Sequence, residues 1–103
     1  MTALEGRGQR FEPGQIVATP GALQALEKSQ QTVFDFVSRH LRGDWGEALC
    51  DADRALNERA LKDGSRLLSA YITTAGERIW VITEAVAEDG RRALTCCLLP
   101  EDY

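Results

Sequence analysis

Between Arg66 and Pro100 three apolar runs alternate with two glycine-bearing turns, and this leaves a chain of 103 residues few folds to adopt. The runs are Leu67–Thr73, Ile79–Val86 and Ala93–Leu99, each of strand length and rich in β-branched or aromatic residues. The connectors Thr74–Glu77 and Ala87–Arg91 carry Gly76 and Gly90, and glycine supplies the positive φ that a tight reversal needs. An antiparallel meander is predicted.

Alternation along a strand sends neighbouring side chains to opposite faces. In the first run Leu68, Ala70 and Ile72 therefore share one face, opposite Leu67, Ser69, Tyr71 and Thr73, and the first set is the more apolar. In the middle run neither Ile79, Val81 and Thr83 nor Trp80, Ile82 and Glu84 form a fully polar set, so both faces of this strand are expected to be partly covered.

What precedes the meander reads as tail and helices. Residues 1–12 hold two glycines, mixed charges and little apolar periodicity, which predicts a flexible tail, with a single domain over 13–103. Gln15–Ala18 is a short apolar piece, either an edge strand or a lead into a helix. Thr19 then suits an N-cap and Pro20 the first helical position, with Leu23 and Leu26 facing inward on a helix ending near Ser29. Thr32 caps a second helix with Asp35 three residues on; Val33, Phe36, Val37, His40 and Leu41 form its inward stripe, and Gly43 ends it. Asp44 and Glu47 are spaced as a capping box for a further turn. A third helix is expected from about Asp51 to Asp63, with Leu56, Ala60 and Leu61 inward and Gly64 as terminator. The fold class is α+β: two or three N-terminal helices packed on an antiparallel meander of three to four strands.

Composition narrows the function. A chain of this length with 44% hydrophobic residues buries a core without disulfides or metals. Its three cysteines, an odd number without ligand spacing, fit neither a disulfide framework nor a zinc site; Cys96 and Cys97, adjacent in a strand, read as small buried hydrophobes on opposite faces. No cofactor or metal is expected. A net charge of −4 disfavours nucleic acid as a partner, and no apolar run approaches the ~20 residues that span a bilayer, so a cytoplasmic protein with a protein partner is expected.

The pieces Gln15–Leu23 (QIVATPGAL), Arg39–Gly46 (RHLRGDWG), Arg66–Tyr71 (RLLSAY), Ile79–Ala85 (IWVITEA) and Leu98–Tyr103 (LLPEDY) resemble a family of small proteins carried on plasmids and integrative elements. Members are described as plasmid-related proteins or as a type I restriction modification subunit. The resemblance runs from Phe11 onward and implies a mobile-element accessory protein; it transfers no catalytic residue. The methyltransferase that the second description implies has no counterpart here, since the chain has neither a glycine-rich cofactor loop after a first strand nor an Asn/Asp-Pro-Pro-aromatic motif. Val86–Arg92 departs from the family pattern as a longer, more polar turn.

Two sites compete on the residues. The Asp44–Glu47 loop places a tryptophan among glycines, and loops of specified conformation carry function. There Arg42 and Asp44 would orient a partner by charge, and Trp45, if exposed, would supply the apolar contact. The enzymatic alternative takes His40 and Glu84 as proton-handling groups with Arg66 and Arg78 on phosphate charge, as in small toxin-type ribonucleases, whose layout of helices followed by a meander is similar. For His40 the plainer reading is a side chain closing the second helix's stripe, and for Trp45 a plug between helices and sheet.

Overall fold

A computed structural model describes residues 8–103 of the chain. Strand β1 (Gln15–Ala18) leads through Thr19 into helix α1 (Pro20–Ser29); α2 (Val33–Leu41) and α3 (Asp51–Asp63) follow. The chain then forms β2 (Leu67–Ile72), β3 (Arg78–Thr83) and β4 (Leu94–Leu98), and ends in a 3-10 turn over Pro100–Asp102. The fold is α+β, as the pattern of the sequence requires.

Helix starts follow their local chemistry. Thr19 Oγ1 accepts from Ala22 N at 3.1 Å with Pro20 in the first helical position. Thr32 and Asp35 form a reciprocal capping box, with Asp35 N bonded to Thr32 Oγ1 and Thr32 N to Asp35 Oδ2. Gly64 closes α3 in the left-handed conformation. The inward stripes are shifted from those expected on two helices. On α1 the buried residues are Ala22, Ala25 and Leu26 while Leu23 is exposed, because two alanines let the helix lie close to the sheet. On α3 Asn57 and Ala60 face inward and Leu56 is exposed.

The sheet order is β1-β4-β3-β2. β2, β3 and β4 form the antiparallel meander, in register Tyr71↔Ile79 and Val81↔Cys97. The fourth strand departs from the all-antiparallel expectation: β1 runs parallel to β4, with Val17 opposite Cys96, so the sheet is mixed. The physical reason is the route of the chain, since three helices separate β1 from the meander and a crossover of that length permits a parallel pairing.

One face of the sheet carries the main core. Tyr71, Ile79, Val81 and Cys97 pack there against Ala22, Ala25 and Leu26 of α1 and Phe36 and Val37 of α2. In β2 the covered face is therefore the Leu67, Ser69, Tyr71 set, the less apolar of the two, because its polar atoms find buried partners. Cys97 lies in this core, where burial pushes its thiol up to about 12, and Cys96 lies half-buried on the other face.

The outer edge of β2 is sealed by the segment that follows α2. Ala70 N donates to Trp45 O and Ala48 N to Ala70 O; Asn57 bonds both Leu68 N and Leu68 O; Ile72 N donates to a Glu47 carboxylate oxygen. No backbone donor along this edge is left to recruit a foreign strand. Gly46 is required for the approach: its φ is 98°, and a Cβ there would collide with the Ala70 carbonyl.

Of the tail expected over residues 1–12, the first seven residues lie outside the described ones. The remainder is held: Arg10 N donates to Leu41 O at 2.8 Å, its guanidinium pairs with Glu58, and the Phe11 ring packs 5.2 Å from His40 and 6.5 Å from Trp45. The ordered unit thus reaches back before residue 13, because Phe11 fills the space between two core aromatics.

Candidate functional site

The loop expected to bind a partner is a half-exposed ion-pair node built on Arg39. Arg39 donates from Nε to Asp44 Oδ2 at 2.7 Å and from Nη2 to Glu47 Oε1 at 2.9 Å, with its guanidinium 4.5 Å above the Tyr71 ring. Asp44 also accepts from Gly46 N, and its carbonyl accepts from the Tyr71 hydroxyl at 2.7 Å. The bond from Arg39 holds the Asp44 carboxyl below its usual range, against the opposing effect of partial burial. Glu47 does not complete a capping box with Asp44 but turns to Arg39 and to Ile72 N.

Trp45 is 3% exposed, so the condition on which it would anchor a partner is not met. Its backbone pairs with Ala70 and thereby turns the indole under the sheet, where Nε1 donates to Glu58 Oε2 at 2.9 Å and the ring meets His40 edge-on at 5.8 Å. Arg42 is exposed at the end of α2, and Asp44 pairs with Arg39.

His40 is fully buried and both ring nitrogens are used. Nδ1 lies 2.5 Å from Ser69 Oγ and Nε2 lies 2.9 Å from Thr83 Oγ1; Thr83 Oγ1 lies 2.7 Å from Thr95 Oγ1, which donates to Pro13 O at 2.8 Å. The terminal carbonyl fixes the direction of this chain as far as His40 Nε2, and a buried, neutral ring fixes it at Nδ1. Thr95 spends its hydrogen on Pro13 O, so it accepts from Thr83; Thr83 therefore accepts from His40 Nε2–H, and Nδ1 accepts from Ser69. The ring is the neutral Nε2–H tautomer. Burial, reinforced by the charge of Arg92, holds its pKa down to about 3.

Nothing in the sequence pattern singles out Arg92. It is nearly buried and donates to three carbonyls, Ser65 O at 2.7 Å, Glu84 O at 3.0 Å and Ala60 O at 3.1 Å, with its guanidinium 5.8 Å from the Phe11 ring. The Val86–Arg92 turn, closed by a bridge between its ends, delivers this side chain to the end of α3. Its periodicity places Arg92 next to a polar turn, where a solvated cation is the ordinary outcome.

The sheet divides the enzymatic constellation. His40 lies on the helix-covered face, whereas Arg78 and Glu84 alternate with Trp80 and Ile82 on the opposite one, and Arg66 reaches over that same opposite face. His40 therefore cannot act together with Glu84, Arg66 and Arg78 on one substrate. Arg66, Arg78 and Glu84 share the less covered face of the sheet, with Arg78 and Glu84 at opposite ends of it.

That surface is apolar at its centre. Val17, Leu68, Trp80, Leu94 and Cys96 are half-buried on it, around the more enclosed Ile82 and Leu98. α1 and α2 sit on the other face and α3 lines the β2 edge; Leu68 and Trp80 border the buried cluster of Trp45, Leu49, Ala60, Leu67 and Ala70, and Tyr103 lies against Trp80. Its ring meets Trp80 edge-on at 5.8 Å, and its hydroxyl accepts from Arg66 Nη1 at 2.5 Å while remaining 72% exposed as a residue. Alternation already gave this face its apolar residues; what the sequence did not reveal is that the helices choose the other one.

Among the described residues no group of three or more His, Cys, Asp or Glu side chains is placed to hold a metal ion, and no helix is long and apolar enough to cross a membrane. Comparison with protein-family models, with curated proteins and with solved structures gives no match.

Proposed function

We propose that the protein is a non-catalytic protein-binding module, a cytoplasmic accessory of a mobile genetic element acting in host-defence interference or element maintenance. Its partner docks on the open sheet face around Trp80 and not on the Arg42–Trp45 loop. The observation that carries this reading is the half-exposed apolar array Val17, Leu68, Trp80, Leu94 and Cys96, bordered by Arg66, Arg78 and Glu84 and crowned by an exposed tyrosine. An apolar centre with aromatic residues inside a charged rim is the composition of protein interfaces. The mobile-element assignment draws on the resemblance of the strand and loop segments to plasmid-borne proteins.

The test is site-specific photo-cross-linking. A photoreactive residue at position 80 is expected to form protein adducts that excess wild-type chain suppresses, while the same residue at exposed Leu56 on α3 forms none. Equal adducts at both positions, or none at position 80, would overturn the reading. So would RNA cleavage by the purified chain that disappears in Glu84→Gln.

A further inference from the structure

The open face has a charge arrangement that selects its own partner. Arg78, Trp80 and Ile82 of β3 lie in a row on this face, and Glu84, the residue after the strand, continues the alternation, with a cation at one end, an anion at the other and two apolar side chains between. Six residues at about 3.3 Å each place the two charges roughly 20 Å apart. Neither Arg78 nor Glu84 forms an ion pair with a described residue. Reversed end for end, such a row is complementary to itself.

We infer that the partner of this face is a second copy of the chain, packed sheet against sheet about a two-fold axis that crosses β3 between Trp80 and Ile82. This rests on the reading of the open face as a protein-docking surface. Two two-fold arrangements bring the faces together. With the axis along the strands, Arg78 meets Arg78 of the other copy and Glu84 meets Glu84. With the axis across the strands, β3 runs antiparallel to its counterpart, each Arg78 meets a Glu84, and each Trp80 meets an Ile82. Like charges opposed at an interface are costly, so the second arrangement is selected. The register extends it to β4, where Leu98 is level with Trp80 and Cys96 with Ile82, so that Leu98 of one copy faces Cys96 of the other. Aligned packing of two twisted sheets at about 30° keeps the ends of the rows within reach of long side chains.

The size of the face sets the strength. Four strands of four to six residues, about 4.8 Å apart, give a footprint of roughly 330 Å². Two such faces bury a total of roughly 700 Å², short of the ~1,000 Å² at which stable specific interfaces begin, so the dimer is a weak one. The association is therefore concentration-dependent and in the micromolar range or weaker, with apolar contact holding it and the two ion pairs fixing its direction.

Sedimentation equilibrium on charge-reversal variants tests this. The wild-type chain is expected to pass from monomer to dimer with concentration, and Arg78→Glu or Glu84→Arg alone to raise the dissociation constant about tenfold. An equimolar mixture of the two variants is expected to recover wild-type association, because every contact between the ends of the two rows then joins opposite charges. Both positions are exposed, so the variants keep the fold, which circular dichroism verifies. Should one fail to fold, the chain carrying both reversals re-pairs across the same axis and is expected to dimerise like wild type. A wild-type chain that stays monomeric to roughly millimolar concentration overturns the inference; so do single variants that associate normally, or a mixture no tighter than either variant. If the chain is monomeric and position 80 still cross-links a different protein, the self-association fails and the docking face stands. A monomer whose Trp80 fluorescence is quenched by single-stranded RNA, without protein adducts, defeats both.

Discussion

The two faces of the sheet are built from similar strands and hold opposite kinds of residue for opposite reasons. The face under α1 and α2 is sealed, yet it contains a histidine, a serine and two threonines; the open face is the one that shows leucine, tryptophan and cysteine to solvent. On the sealed face polarity is tolerated because every proton in the Ser69–His40–Thr83–Thr95 chain has an acceptor, ending on Pro13 O. On the open face apolar residues stand half-exposed inside a charged rim, the arrangement from which a docking surface is proposed. Burial alone does not say which surface works; satisfaction of the buried groups and the lack of cover over the exposed ones do.

The comparison breaks first at Trp45. Trp45→Ala removes a buried indole that touches Phe11 and His40 and leaves Glu58 without its indole donor, so a loss of about 3–5 kcal/mol is expected in urea unfolding. A loss below about 1 kcal/mol would mean that the indole is dispensable to the sealed side.

Acidification sharpens the same contrast. His40 is neutral in the fold, with its pKa held near 3, and about 6.5 when the chain unfolds. Below pH 6.5 the unfolded state binds the extra proton, so stability falls as pH falls, by up to about 1.4 kcal/mol per unit until the folded-state pKa is reached. The carboxylates of Asp44, Glu47 and Glu58 have lowered folded-state pKa values, so their contributions are present above the ordinary carboxylate pKa and disappear at lower pH. Between pH 6 and 5 the slope is therefore expected to come from His40. Denaturant unfolding across that range in wild type and His40→Gln checks it, with the slope expected in the first and absent from the second.

The smallest effect is expected on the open face itself. Arg66→Ala loses one hydrogen bond to Tyr103 and a stacked guanidinium, both largely exposed, and is expected to change stability by less than about 1 kcal/mol by thermal melting.

The sequence made local features legible and long-range choices illegible. Thr19-Pro20, Thr32 with Asp35, and Gly64 announce their helix ends because capping involves residues three or four apart. The parallel partner of β1 lies almost 80 residues further on, and a four-residue strand carries no mark of direction. Nothing in the strand pattern of Ser69, Thr83 and Thr95 says that a histidine from α2 will arrive between them. Arg66, Arg78 and Glu84 were legible as a group, but the alternation of β3 alone could not show that His40 belongs to the other side. Trp45 was undecidable from its neighbours, because the pairing of its backbone with Ala70 decides where the indole points.

The division between a sealed structural face and an open face proposed to bind is tested most directly by Trp80→Glu, measured at once for thermal melting and for association. A carboxylate at position 80 lies between Arg66 and Arg78 and is compatible with the monomer, but it places a charge at the centre of the apolar array. The account predicts a melting temperature within about 8 °C of wild type, the shift of a ~1 kcal/mol change in a domain of this size, and loss of association by sedimentation. A variant that unfolds as Trp45→Ala does, or that folds and still associates like wild type, would contradict it.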